Sequence, residues 1–364
     1  MVTLKQIFSD YGPEYIARFG DRLPGEHRKV IDAIVHCRTK TYGATVWHCE
    51  DCGLNHLVYR CCGNRHCPNC QNHKTRQWLS RRIHQQLPVH HFMITFTVPE
   101  GIRAFIRSHP RRCYSAMFAA SSQTLQKLVR DEKFIGADLP GFFGVLHTWG
   151  RTMPYHPHIH YIVPGGAISK SDWHWHPSRK DFYLPVRAMS KIFRAKFLDE
   201  MKKSGLASSI CPDVWKQAWV VNCQAVGTGA QSIKYLAPYV FKVAISNSRI
   251  AKVENRQVFF KYKKTDSQRW RTKSLEVMEF MRRFLQHVLP TGFMKVRYYG
   301  FMSPGSARSM QEVLACINRC AASEAEFAEI TIPVHPSPIC SICGGTLIYH
   351  ASTIPIRVKA QESG

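Results

Sequence analysis

The run Tyr155-His156-Pro157-His158-Ile159-His160-Tyr161-Ile162-Val163-Pro164 organises the reading of this chain. In a strand, side chains two apart project to the same face. His158 and His160 then share a face on which they can grip one metal ion, while Ile159 packs into a core behind them. Further on, Tyr235 and Tyr239 stand four apart in Lys234-Tyr235-Leu236-Ala237-Pro238-Tyr239-Val240. In a helix that spacing puts two phenols on one side. A metal site together with two tyrosines on a strongly basic chain points to DNA strand cleavage through a phosphotyrosine link.

A single His–apolar–His triplet also fits an ordinary strand with a polar face, so its surroundings matter. His147 precedes it, with turn residues at Met153-Pro154 between. A hairpin would return His147 beside His158 and His160 as a third ligand. His156 shares their strand parity, but Pro157 is expected to start the strand, which ranks His156 behind His147. Imidazoles with open coordination positions suit a divalent ion that polarises a phosphoryl oxygen, Mg2+ or Mn2+. Tyrosine pairs at helical spacing are also common as half-buried packing residues. Pro238 removes the helical bond to the Lys234 carbonyl and would kink or begin the helix there. Lys234, Lys242 and Arg249 are placed to hold phosphates or to lower a phenol's pKa.

Composition supports a nucleic-acid partner. The 364 residues carry 50 Lys plus Arg against 25 Asp plus Glu, a net charge of +25, and are 45% hydrophobic. Such an excess opposes compaction unless a polyanion neutralises it. The length allows two or three domains with a sizeable core. No apolar run approaches the roughly 20 residues that span a bilayer, and the first residues lack a signal-peptide pattern. A cytoplasmic, nucleoid-associated protein without a membrane partner is expected. In that reducing setting the 14 cysteines point to metal rather than disulfides.

Periodicity predicts an α+β chain. Helices are expected over 1–36, 74–86, 112–131, 189–203, 229–243 and 274–289, and strands over 91–98, 144–149, 158–163, 219–226, 258–263 and 295–300. Four segments follow: a helical and zinc-binding DNA-binding domain at 1–87, a catalytic domain at 88–255, a basic extension at 256–332, and a linker with a short tail at 333–364.

Cys49-x-x-Cys52 and Cys67-x-x-Cys70 are two chelating pairs. Two such knuckles make a four-thiolate tetrahedral Zn2+ site that would order a loop-rich segment. Cys37, Cys61, Cys62, His48, His56, His66 and His73 are left over, and a second zinc site would draw on some of them, Cys37, Cys62 and His66 first. Cys340-x-x-Cys343 is half of a zinc ribbon without obvious partners, Cys316 and Cys320 being weak candidates. Cys113, Cys211 and Cys223 read as core residues. The segment from Lys261 to Arg271, with Lys263, Lys264 and Arg269, reads as a phosphate track with Tyr262 and Trp270 available for stacking. Phe280 to Arg283 is weighed in the same way. A solvated charged face is the plainer reading of both.

Taken in order, these residues resemble the rolling-circle insertion-sequence transposases of the His-hydrophobic-His, tyrosine-nucleophile class. The front carries Cys37-Arg38-Thr39, Cys49-x-x-Cys52-Gly53 and Cys62-Gly63-Asn64-Arg65-His66-Cys67-Pro68-x-Cys70. The middle carries Phe96-Thr97-Val98-Pro99, His147-Thr148-Trp149, His156-Pro157-His158-Ile159-His160 and Tyr235-Leu236-x-x-Tyr239. Ile245 to Ile250 and Arg283 to Phe293 extend the likeness. The resemblance implies an antiparallel, HUH-endonuclease-like sheet with flanking helices behind a small zinc-binding domain. It further implies metal-dependent cleavage and rejoining of single-stranded DNA at element ends and target. Pro238 departs from the basic residue expected there. No Gly-x-x-x-x-Gly-Lys-Ser/Thr run is present, so strand separation would fall to host replication or helicase factors. The alternatives are a replication initiator or relaxase of the same chemistry, and a catalytically dead zinc-dependent DNA-binding protein.

Overall fold

A computed structural model describes residues 2–70, 78, 87–228, 244–264, 267, 269–320 and 338–353. In chain order, the first elements are α1 (Leu4–Phe19), α2 (Gly25–Val35), β1 (Ala44–Cys49), β2 (Asn55–Tyr59) and β3 (His90–Thr97). Next come α3 (Arg103–Ser108), α4 (Pro110–Val129), β4 (Gly141–Trp149), β5 (Tyr155–Pro164), β6 (Gly166–Ile168), β7 (Trp175–Pro177) and α5 (Val186–Lys203). The last are β8 (Val220–Thr228), β9 (Ile250–Glu254), β10 (Gln257–Lys263), β11 (Trp270–Glu276), α6 (Val277–Leu285), β12 (Val296–Gly300), α7 (Met310–Cys320) and β13 (Leu347–Ser352). Among the described residues no helix is long and apolar enough to cross a membrane.

The chain is α+β, and it forms two compact units interleaved along the sequence. One contains the described residues within 1–74, 241–288 and 331–364, the other those within 75–240 and 289–330. This division differs from the linear one read from the sequence. Residues 244–255, expected in the catalytic domain, 256–288, expected in the extension, and 338–353, expected in the tail, cluster with the N-terminal segment.

In the second unit a five-stranded sheet runs β12-β4-β5-β3-β8, with every neighbouring pair antiparallel. Alternation along the strands decides which face meets the helices. Phe92, Ile94 and Phe96 of β3 and Ile159, Tyr161 and Val163 of β5 are buried in one core with Phe193 and Phe197 of α5 and Met117, Phe118 and Leu125 of α4. Met189, Phe193, Phe197 and Met201 recur every four residues and so form a single apolar stripe on α5. Gly144 makes room for this packing: a Cβ there would lie 2.4 Å from the Tyr161 ring. The Tyr161 hydroxyl, fully buried, is satisfied by Ser121 Oγ of α4 at 2.7 Å. Pro110 opens α4, where its missing N–H costs nothing.

In the first unit β13-β1-β2 and β11-β10-β9 make two three-stranded antiparallel sheets. The helix expected from Ser274 begins only at Val277, because Trp270–Glu276 pairs residue for residue with β10. Cross-strand bonding overrides the helical periodicity there. Glu276 then caps α6, accepting from the N–H groups of Met278 and Glu279 at 2.7 and 3.1 Å. Phe280 of α6 meets Phe260 of β10, and Phe284 meets Phe8 of α1. The helices expected over 74–86 and 229–243 lie outside the described residues, Trp78 excepted.

Candidate metal centre and nucleic-acid interface

The hairpin of β4 and β5 sets His147 directly opposite His158 and Val145 opposite His160. The three histidines therefore share the sheet face turned away from α4 and α5. Their ring centroids lie 4.7 to 5.5 Å apart, and one ligand atom from each falls within 4.8 Å of the others. Ile159, between His158 and His160, is fully buried on the opposite face. His158 Nδ1 lies 2.6 Å from the His156 carbonyl oxygen. A carbonyl only accepts, so Nδ1 carries the proton and Nε2 the lone pair. His160 Nδ1 meets Thr95 Oγ1 at 2.9 Å, which orients that ring on the sheet face. Burial, and then the neighbouring His160, hold His158 well below the usual imidazole range, so it is neutral at pH 7 as a ligand must be. Three imidazoles on a rigid hairpin fit a divalent ion with open positions.

β5 begins at Tyr155, so Pro157 lies inside the strand instead of starting it. His156 is consequently on the strand, with its ring 5.1 Å from His158, yet it stays outside the converging trio. The sequence reading missed three neighbours. Thr95 shares the face through its pairing with His160. Trp149 stacks on His147 at 4.9 Å, and the Lys295 ammonium sits 5.1 Å from the Trp149 ring. Strand parity within residues 91–98 could have found Thr95; no local signal marks Lys295. Tyr235, Tyr239, Lys234 and Lys242 lie outside the described residues.

The cysteines form two four-thiol clusters, and neither is the set expected from spacing. Cys67 and Cys70 join Cys37 and Cys62, whereas Cys49 and Cys52 join Cys340 and Cys343. Chain path explains the split. β1 and β2 pair from Ala44↔Tyr59 to His48↔Asn55, a ladder of roughly 14 Å at about 3.4 Å per residue. Cys37 and Cys62 sit beyond its open end, closed by the bond from Arg38 N–H to the Arg60 carbonyl at 3.1 Å. Cys49 and Cys52 sit at its turn. One ion with Zn–S bonds of about 2.3 Å cannot bridge that length. In the first cluster the sulfurs of Cys37, Cys62 and Cys67 approach a neighbour at 3.4 to 3.7 Å. His66 belongs to neither cluster. Cys316 and Cys320 lie in the other unit, where Cys316 donates to the Trp173 carbonyl, so they are not partners of Cys340 and Cys343. Cys113 is buried as expected, Cys223 is half-buried, and Cys211 is exposed.

The basic segment is a β-ribbon whose register sorts its side chains. Lys261 faces Thr272 and Lys263 faces Trp270 on one side, while Tyr262 faces Arg271 on the other. Tyr262 and Trp270 thus do not share a surface. The Lys263 ammonium lies 5.2 Å from the ring of Trp270, which is 58% exposed, and on the same face Lys252 lies 5.0 Å from the Phe259 ring. Lys264, Arg269 and Arg271 are exposed at the end where β10 connects to β11. Arg249 braces the ribbon, its Nε donating to the Lys261 carbonyl at 2.8 Å. Arg282 and Arg283 are engaged by Glu279 at 2.6 Å each, so the Phe280 to Arg283 stretch is an ion-paired helix face.

Residues 7–98 match the family model "transposase zinc-binding domain" and residues 141–310 the model "putative transposase". The "Putative transposase y4qJ" of Sinorhizobium fredii is 35% identical, with 85% of this chain and 82% of that protein covered. The "Transposase for insertion sequence element IS801" of Pseudomonas savastanoi pv. phaseolicola is 24% identical over 91% of this chain and 85% of its own length. No solved structure matches the chain. With both domains matched in order and a relative 35% identical over more than four-fifths of both lengths, the chain belongs to the rolling-circle insertion-sequence transposase family that carries an N-terminal zinc-binding domain.

Proposed function

We propose that this transposase cleaves and rejoins single-stranded DNA at its element's ends and target through a 5′-phosphotyrosine intermediate. The observation that carries the reading is the convergence of His147, His158 and His160 on one sheet face. A divalent ion held there would polarise a non-bridging oxygen of the scissile phosphate. The donor set is all nitrogen, which favours Mn2+ over the harder Mg2+. Tyr235 or Tyr239 attacks phosphorus, its phenolic proton is lost, and the 3′ oxygen leaves as a hydroxyl. The bond formed is again a phosphate diester, so a 3′-hydroxyl can reverse the step without nucleotide hydrolysis. The second tyrosine can accept the other strand. Lys261, Lys263 and Trp270 supply a sequence-tolerant grip on the single strand, with Lys264, Arg269 and Arg271 at the end where β10 connects to β11 and Lys234, Lys242 and Arg249 as further phosphate contacts. Strand separation falls to host replication or helicase factors.

The test is direct. Purified protein, Mn2+ and end-labelled single-stranded element-end DNA are mixed, and a denaturing gel is read for a protein–DNA adduct. Tyr235→Phe and Tyr239→Phe assign the nucleophile. His158→Ala should abolish cleavage with DNA binding retained. Binding without adduct at any divalent ion, or adduct persisting in the double tyrosine variant, refutes the proposal.

A further inference from the structure

We infer that Cys49, Cys52, Cys340 and Cys343 hold a second structural zinc, bound jointly by the front of the chain and by its tail. The zinc-binding domain matched by family ends at residue 98, so half of this ligand set lies far outside it. Geometry makes the case. A tetrahedral ion with Zn–S bonds of about 2.3 Å places its sulfurs about 3.8 Å apart. The Cys49–Cys343 and Cys52–Cys340 sulfurs stand 3.5 and 3.7 Å apart, far beyond the roughly 2.05 Å of a disulfide.

Both halves are built as matching knuckles. Each is Cys-x-x-Cys-Gly, and in each the glycine takes a positive φ, 70° at Gly53 and 80° at Gly344. Each glycine N–H returns to the carbonyl of its first cysteine, Gly53 to Cys49 at 2.9 Å and Gly344 to Cys340 at 3.0 Å. In the tail knuckle, Ile342 N–H points at Cys340 Sγ and Gly345 N–H at Cys343 Sγ, each at 3.4 Å. Amides aimed at sulfur stabilise a thiolate, the form that binds metal. His56 Nε2, 3.1 Å from Cys340 Sγ, is a further hydrogen-bonding neighbour.

Among its described residues, the tail is otherwise fastened by backbone pairing with β1 and by Thr353 bonded to Ala44, with little apolar burial. Its buried side chains are Cys340 and Leu347, packed with Cys49 beside Trp47 and Cys52, while Ile339, Ile342 and Tyr349 are more than half exposed. Yet β13 completes the sheet, with Leu347 opposite Cys49. A core this small cannot offset the ordering of a tail, so the metal must.

The full-length protein should therefore carry two zinc ions by elemental analysis, and the Cys340→Ser/Cys343→Ser double variant one. Because that variant could misfold, wild-type protein is also pulsed with an alkylating reagent and mapped by mass spectrometry. Exposed Cys61 and Cys211 should react at once. Cys49, Cys52, Cys340 and Cys343 should be protected together and released together by a zinc chelator. One zinc in the wild type overturns the proposal, as does Cys340 or Cys343 reacting as fast as Cys211 while Cys49 and Cys52 stay protected.

Discussion

Replacing Thr95 by Val removes one hydroxyl from the metal face and little else. The side chains have nearly the same volume, both are β-branched and suit a strand, and Thr95 is only half-buried. What is lost is the 2.9 Å contact between Thr95 Oγ1 and His160 Nδ1. Without it the hydroxyl no longer orients His160 Nδ1, and the ring holds its metal-facing lone pair less firmly. Removing a partner of this kind typically weakens metal binding about 10–100-fold, which is about 1.4–2.7 kcal/mol at about 1.4 kcal/mol per decade. The assay is a manganese titration of purified protein by calorimetry, paired with DNA cleavage across manganese concentrations. Thr95→Val should shift both curves to higher manganese by one to two decades and recover cleavage at saturation, whereas Thr95→Ser should remain near wild type. Unchanged manganese affinity in Thr95→Val, alongside lost affinity in His160→Ala, would show that packing alone orients the ring and would refute the argument.

Other perturbations test the frame around the site. Gly144→Ala drives a methyl group into the Tyr161 ring, and overpacking of this kind should lower stability by about 1–3 kcal/mol, read as a fall in the thermal midpoint; an unchanged midpoint would mean that the ring moves freely. Glu279 is pushed down from 4.5 to about 2, first by its hydrogen bond to Arg282 and then by Arg283. Its folded pKa lies below its unfolded one, so its contribution is present above about 4.5 and lost as pH falls toward 2. Glu279→Gln should flatten the acid limb of the stability–pH curve in that window, and an identical limb would count against the ion pairs. Trp270→Ala should weaken single-stranded DNA binding by about 1–3 kcal/mol, and Lys261→Ala should reduce the salt slope by about 0.7; a filter-binding salt titration that separates neither from wild type would remove the ribbon from the interface.

The central sheet was legible because its strands have two faces with different work. In β5, Ile159, Tyr161 and Val163 alternate with His158 and His160, so one parity is core and the other is chemistry. The same alternation in β4, with Met153 and Pro154 at the turn, sufficed to bring His147 back to His158. β9 and β11 were less legible. β11 is exposed at Trp270, Arg271, Thr272 and Ser274, with Leu275 its lone buried residue, so it carries no apolar rhythm to distinguish it from the helix that follows. Its state is decided by β10, whose hydrogen bonds are non-local and leave no local trace.

The thiol sites show the same limit and a way past it. Spacing within a pair is local: a knuckle needs two cysteines three apart, and Cys49/Cys52, Cys67/Cys70 and Cys340/Cys343 all have it. Which pairs share an ion depends on the path between them. Cys49 and Cys52 lie about midway between Cys37 and Cys62. If the segment folds back at that knuckle, Cys37 and Cys62 must meet at the far end of the hairpin, leaving the knuckle two ligands short. The deficit at the turn and the unpartnered Cys-x-x-Cys at the tail are then one problem with one solution, which is the pairing that β13 makes with β1. Counting unsatisfied ligand pairs against hairpin ends would have led there without coordinates, because a four-thiolate ion tolerates no vacancy that a second knuckle can fill.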